Sequence, residues 1–167
     1  LKPCLVNVPD GGAEPLAVLR DRILAYLRAG KPGQAWEFFR QALDLDPYFY
    51  GDNLTWDLFF PLAASLGRAE EAENLCRALL ARGGGADYRI NLGRMLQAQR
   101  RYEEAVKAYQ AGLDEIGLAE SDLIPPFFPM NTNFELPPAE AWQGLGECRI
   151  ELGDLAGAGR FLELSAR

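Results

Sequence analysis

Four segments of the chain repeat one pattern, and this periodicity constrains the fold more than any other feature. Each segment has an apolar run, then a short turn, and then a second run centred on an alanine; the turn contains glycine in three segments and Gln99 in the other. The central alanines are Ala35, Ala72, Ala105 and Ala158. Their spacings are 37, 33 and 53 residues. A period of about 34 residues is typical of helix pairs that stack on their neighbours.

The apolar spacing within the segments predicts eight helices. In the third of them, Trp56, Phe59, Phe60 and Ala63 fall on one face of a helix. Turn residues separate the runs, and we expect N-caps at Asn53 and Asp87. Pro61 is expected to kink its helix or to move its start. The predicted helices cover residues 14–29, 33–45, 53–66, 69–82, 86–99, 102–116, 138–152 and 155–166.

The pattern resembles the tetratricopeptide repeat (TPR) family, in which a Trp-x2-Leu-Gly-x2-Tyr start is followed by Ala-x3-Phe and Pro. The matching positions are Tyr26, Ala35, Phe39 and Pro47; Trp56, Phe59, Gly67 and Ala72; Gly93, Tyr102, Ala105 and Tyr109; and Trp142, Leu145 and Gly146. Arg149 stands where the family usually has tyrosine. The resemblance implies an all-α, right-handed α-α superhelix, a TPR-like solenoid, over residues 14–167.

The resemblance also divides the chain. The four repeats are expected at about residues 16–49, 53–85, 86–117 and 139–167. Residues 1–13 are interpreted as an N-terminal linker or a junction with a preceding domain. The long third spacing places an insertion at residues 118–138.

Composition argues against several classes of function. The chain has no histidine, which excludes catalytic triads that depend on imidazole. Cys4, Cys76 and Cys148 lack the spacing of a zinc site, so no metal or other cofactor is expected, and the thiols favour a reducing compartment such as the cytoplasm. A net charge of -7 without a basic cluster argues against nucleic acid. No apolar run is long enough to span a membrane.

Pairs of carboxylates occur along the chain and could indicate acid–base chemistry. Two pairs, Glu70 with Glu71 and Glu103 with Glu104, begin predicted second helices. Negative charge there complements the helix dipole, which is the simpler explanation. Together with the missing histidine, this favours a non-catalytic protein.

The resemblance implies a concave groove lined by the first helix of each repeat. The groove positions proposed for partner binding are Arg20, Leu24, Asp57, Arg94, Gln97, Gln143 and Glu147. Solvated surface is the alternative for each of them. Some family members hold a peptide carboxylate with a clamp of Lys and Asn, which this chain lacks, although Arg20 and Arg94 could still contact an anion. We expect the groove to take a protein or peptide.

The insertion contains the sequence "PPFFPMNTNFELPP", whose prolines exclude an ordinary helix. Its large apolar side chains, Phe127 and Phe128 among them, are costly to leave in water. We expect the segment to dock on its own repeats, and docking on a partner through Phe127 and Phe128 is the alternative.

The leading prediction is a protein–protein interaction scaffold that binds a peptide or partner domain in its groove. Two alternatives remain open. The chain could be an accessory region of a larger enzyme, such as a bacterial glycosyltransferase. It could also self-assemble through uncapped ends, because apolar residues of the last helix, such as Leu155 and Leu162, would have no following helix to cover them.

Overall fold

The computed structural model describes residues 16–45, 53–117 and 138–166, and the side chains of residues 16–45, 58–117 and 139–166. Within these ranges all regular secondary structure is α-helical. Each predicted helix is present, and its observed ends lie within two residues of the predicted ones. The helices are α1 Leu16–Arg28, α2 Pro32–Leu45, α3 Asn53–Ser65, α4 Ala69–Leu80, α5 Ala86–Ala98, α6 Tyr102–Glu115, α7 Pro138–Glu151 and α8 Leu155–Ser165.

One type of turn connects the two helices of every pair. The residue two positions after the first helix has a left-handed backbone, with φ between 59° and 82°. A backbone hydrogen bond then runs from the next N–H to the carbonyl five residues earlier, as in a Schellman motif. The left-handed residues are Gly30, Gly67, Arg100 and Gly153. Arg100, and not Gln99, therefore occupies the position of the turn glycine in the third pair.

Other local predictions had mixed outcomes. The N-cap of α5 is Gly85, so the N-cap predicted at Asp87 is wrong, and Asp87 lies in the first helical turn. Asn53 is the first residue of α3, so Pro61 has not moved the start of that helix. The acidic pairs of α4 and α6 lie in the first helical turns, as predicted.

The described chain divides into two compact units, Leu1–Leu62 and Ala63–Arg167. The first unit has an aromatic core. The rings of Trp36 and Phe59 stack with centroids 4.9 Å apart, and Phe39 meets Phe59 edge-on at 5.4 Å. These contacts bury the apolar faces of α2 and α3 against each other.

The core of the second unit depends on close helix approach at glycine. A methyl group at Gly93 would lie 2.8 Å from the Tyr109 ring, and one at Gly146 would lie 2.8 Å from Leu162. Both glycines therefore let a neighbouring helix approach closely.

The two cysteines that the structure describes, Cys76 and Cys148, are buried and free, whereas Cys4 lies outside the described residues. Burial raises the pKa of the Cys76 thiol, and it raises that of Cys148 to about 11. Neither thiol is accessible enough to act as a nucleophile.

Candidate functional site

A cavity of about 630 Å³ lies within the second unit, where α5, α6 and α7 meet. Arg94 and Gln97 reach it from α5, Tyr109 from α6, and Gln143 and Glu147 from α7. The four residues of α5 and α7 are only partly buried or exposed, whereas Tyr109 is buried beneath them. The volume is in the range of sites that take a side chain or a small molecule.

A chain of hydrogen bonds connects the three helices across the cavity. The Tyr109 hydroxyl donates to Oε1 of Gln97 at 2.8 Å. Nε2 of Gln97 donates to Oε2 of Glu147 at 2.8 Å, and Nε2 of Gln143 donates to Oε1 of Glu147 at 2.8 Å. Each oxygen of the Glu147 carboxylate is thus held by a separate neutral amide, and the carboxylate has a defined orientation.

Tyr109 is the buried anchor of this network, with 1% of its surface exposed. Its ring fits between two glycines on opposite helices: a methyl group at Gly93 would lie 2.8 Å from it, and one at Gly144 would lie 2.5 Å from it. Burial raises the pKa of the hydroxyl, which therefore stays protonated and remains a donor to Gln97. The two glycines leave room for the Tyr109 ring, and the Tyr109 hydroxyl orients the Gln97 amide through its hydrogen bond.

The cavity has more acidic than basic groups. Nη2 of Arg94 forms an ion pair with Oε2 of Glu140 at 2.5 Å. Glu147 and Glu151 also line the cavity, so it contains three carboxylates and one guanidinium. The cavity therefore has a net charge of about -2 at neutral pH.

A second polar cluster surrounds Glu73 of α4, whose surface is 5% exposed. Its carboxylate accepts hydrogen bonds from Arg77, Gln99 and Arg101 at 2.7 to 3.0 Å. Burial raises the pKa of this carboxyl, but the three donors outweigh burial, and the net pKa is lowered. Because its charge is fully compensated, we interpret the cluster as a structural connection between α4 and the turn after α5.

The structure brings together four of the nine residues proposed for partner binding: Arg94, Gln97, Gln143 and Glu147. Arg20 and Leu24 are half-buried on α1 in the first unit. Asp57 belongs to α3, but its side chain lies outside what the structure describes, as do Phe127 and Phe128.

Sequence reasoning missed the part played by Tyr109, which it treated only as a repeat position. Its occurrence in the second helix opposite Gly93 was the available signal.

Of the side chains that the structure describes, none form a group of three or more that could hold a metal ion.

Comparison with known proteins supports the family resemblance for one repeat. The sequence profile of the tetratricopeptide repeat matches residues 89–122, which include most of α5 and all of α6. This stretch, about a fifth of the chain, is similar to one tetratricopeptide repeat. No relative was found among curated protein sequences.

Solved TPR-like structures show the same fold. MamA from Desulfovibrio magneticus RS-1, residues 41 to the end, superposes with a TM-score of 0.61 at 16% identity, over 91% of this chain and 74% of that one. Pseudomonas aeruginosa pilF superposes with a TM-score of 0.58 at 22% identity, over 90% of this chain and 59% of that one. Both confirm the predicted all-α, TPR-like fold.

The helices of the described ranges are too short or too polar to cross a bilayer.

Proposed function

We propose that this TPR chain is a non-catalytic scaffold that binds an extended segment of a partner protein in the cavity between α5 and α7. The observation that supports this most is the ordered network of Gln97, Gln143 and Glu147 on helix surfaces that are not used for packing. Polar groups held in place before binding lose little conformational entropy when a ligand arrives. Amide and carboxylate groups are also suited to read the backbone and side chains of a peptide.

A catalytic role has less support from the same site. The phenol of Tyr109 has a raised pKa because it is buried, so it is a poor general base at neutral pH. The nearest thiol, Cys148, is buried and has its pKa raised to about 11. Acyl transfer by this thiol would need a thiolate that these surroundings disfavour.

Selection of peptides tests the proposal directly. The full chain is immobilised, a phage library of random dodecapeptides is selected on it, and the peptides obtained are titrated by fluorescence polarisation. The double variant Arg94→Ala/Gln97→Ala should weaken binding at least ten-fold, because it removes polar contacts from the cavity wall. Binding that is equally strong in this variant would place the site elsewhere.

The matched control changes two exposed residues of α6 outside the cavity, Glu103→Gln and Lys107→Ala. This variant also alters charge and side-chain size on the second unit, but it should bind the peptides as the wild type does. Circular dichroism on each variant separates lost binding from lost folding.

Self-association is a second candidate function. Leu155, at the start of α8, is 70% exposed, and Leu152, three residues earlier, is 41% exposed. Burying such side chains against a second copy is favourable. Light scattering over a concentration series should show an oligomer that Leu155→Lys dissociates, whereas a wild-type monomer at every concentration would rule the candidate out.

A further inference from the structure

We propose that the cavity recognises a basic side chain, a lysine or arginine of the partner segment, through Glu147 with help from Glu151. This inference rests on the proposed function and specifies its ligand. It depends on the negative charge of the cavity, on the orientation of Glu147, and on which residues could provide a positive charge to balance it.

The charge of the cavity is only partly compensated. Arg94 is the one basic residue in its wall, and it is paired with Glu140 at 2.5 Å. The donors that reach Glu147 are amides, which are neutral and leave its negative charge in place. Two carboxylates at one end of the cavity therefore attract a cation.

The orientation of Glu147 is determined by its neighbours. If the Gln97 amide were flipped, its carbonyl oxygen would face the Glu147 carboxylate, and two acceptors would repel each other. The Tyr109 hydroxyl, which donates to Oε1 of Gln97, favours the arrangement in which Nε2 points at Glu147. Each carboxylate oxygen has further lone pairs, so an ammonium or guanidinium group can bind without breaking these bonds.

Two arginines that lie close in sequence to the cavity residues are engaged elsewhere. Arg101 binds Glu73 and Glu104, and Arg149 binds Asp154 at 3.0 Å and lies over the Phe161 ring. The sequence from residue 116 to residue 148, which connects α6 to α7 and includes most of α7, has no lysine or arginine. A partner segment is the source of a cation that the proposed function provides.

The size of the cavity favours a side chain over a metal ion. A volume of about 630 Å³ is far larger than one cation requires. Calcium needs six to eight oxygen ligands at 2.3 to 2.6 Å. Of the three carboxylates in the wall, Glu140 is paired with Arg94, and Glu147 and Glu151 alone provide too few oxygens. A lysine or arginine on an extended backbone combines positive charge with the length needed to reach into the cavity.

The test is a double-mutant cycle on the dodecapeptides selected from the phage library. The protein is wild type or Glu147→Gln. The peptide has its basic residue or a neutral replacement, norleucine for lysine or citrulline for arginine. We expect the selected peptides to share a lysine or arginine, and each single change to weaken binding about ten-fold or more. The second change should then have little further effect, because both remove the same ion pair.

Control variants keep the outcomes distinct. Glu151→Gln removes the second carboxylate of the proposed site. Because Glu151 is exposed, this variant can replace Glu147→Gln if that substitution disturbs folding. Glu103→Gln removes a carboxylate from α6 outside the cavity and should leave affinity unchanged. Suppose that binding is weakened by Arg94→Ala/Gln97→Ala but not by Glu147→Gln, by Glu151→Gln or by the neutral replacement in the peptide. That result would overturn this inference and leave the proposed function standing. Failure to select any peptide would overturn both.

Discussion

The hydroxyl of Tyr109 links a buried ring to the polar surface of the cavity. Tyr109→Phe removes this group and leaves the ring in place, so we expect the free energy of unfolding to fall by about 1 kcal/mol. Gln97 loses the donor that determines its amide orientation, and peptide binding should weaken several-fold. Urea denaturation and peptide titration measure the two effects. Unchanged affinity would mean that the network does not prepare the cavity for its ligand.

Two glycines of the second unit provide a matched pair for testing helix approach. At Gly144 a methyl group would lie 2.5 Å from the Tyr109 ring, whereas at Gly159 nothing lies within 4 Å. Gly144→Ala should reduce stability by about 1 to 3 kcal/mol, because the ring or the helix must move. Gly159→Ala, in the exposed part of α8, should raise stability by up to about 1 kcal/mol. Thermal denaturation of both variants makes the comparison, and equal effects would contradict the close approach.

Individual side-chain pairs were the least predictable part of the molecule. The sequence places Tyr109 in a second helix, but its contact with Gly144 joins residues 35 positions apart and depends on how two repeats pack. The pairing of Arg94 with Glu140 was missed for the same reason, since a residue pattern does not say which charges meet.

The turn after α5 differs from the other three because an arginine, not a glycine, has the left-handed backbone. The φ of Arg100 is 59°, and side chains with a Cβ are strained in this region. Arg100→Gly should therefore raise the free energy of unfolding by about 0.5 to 1 kcal/mol. The converse change, Gly153→Ala at φ 82°, should lower it by a similar amount. Chemical denaturation tests both, and a loss of stability in Arg100→Gly would show that the arginine side chain stabilises the turn.

Glu73 connects α4 to the turn after α5, and its pKa gives this connection a pH dependence. Because the pKa is lower in the folded state than its ordinary value of 4.5, the stabilisation is complete above about pH 4.5. It is lost as the pH falls through the folded-state pKa. Glu73→Gln should cost about 1 to 3 kcal/mol at neutral pH and should reduce the loss of stability on acidification.

Denaturation of both proteins between pH 7 and pH 3 is the measurement. Glu70→Gln, which removes an exposed carboxylate from the same helix, is the control and should retain the wild-type profile. Parallel profiles for Glu73→Gln and the wild type would contradict the connection.

Helices were predicted well because their signals are local. Apolar residues at helical spacing, with a turn between paired helices, located all eight within two residues. The ends were less exact where a cap was involved: Asp87 has the chemistry of an N-cap, yet α5 starts one residue before it, after Gly85. Likewise, the sequence pattern placed Gln99 at the turn position, whereas the left-handed residue is Arg100.

At the scale of the whole chain, the repeat register predicted the α5 and α7 sides of the cavity. Helical spacing puts Arg94 with Gln97 and Gln143 with Glu147 on common faces, and the structure brings the four residues to one site. Register alone could not show that Arg94 is neutralised by Glu140, nor that the network ends on Tyr109. These depend on the packing of one repeat against the next.

The net charge of -7 gives the last prediction, which concerns how a basic partner approaches. An acidic protein accelerates encounter with a positively charged peptide, and salt screens this attraction beyond about 10 Å at 0.1 M. Stopped-flow measurement should show the association rate constant falling several-fold between about 50 mM and 500 mM salt, with a smaller change in dissociation. Glu103→Gln removes one negative charge away from the cavity and should leave association nearly unchanged, whereas Glu147→Gln should mainly speed dissociation. Salt-independent association would mean that charge does not guide the partner to this surface.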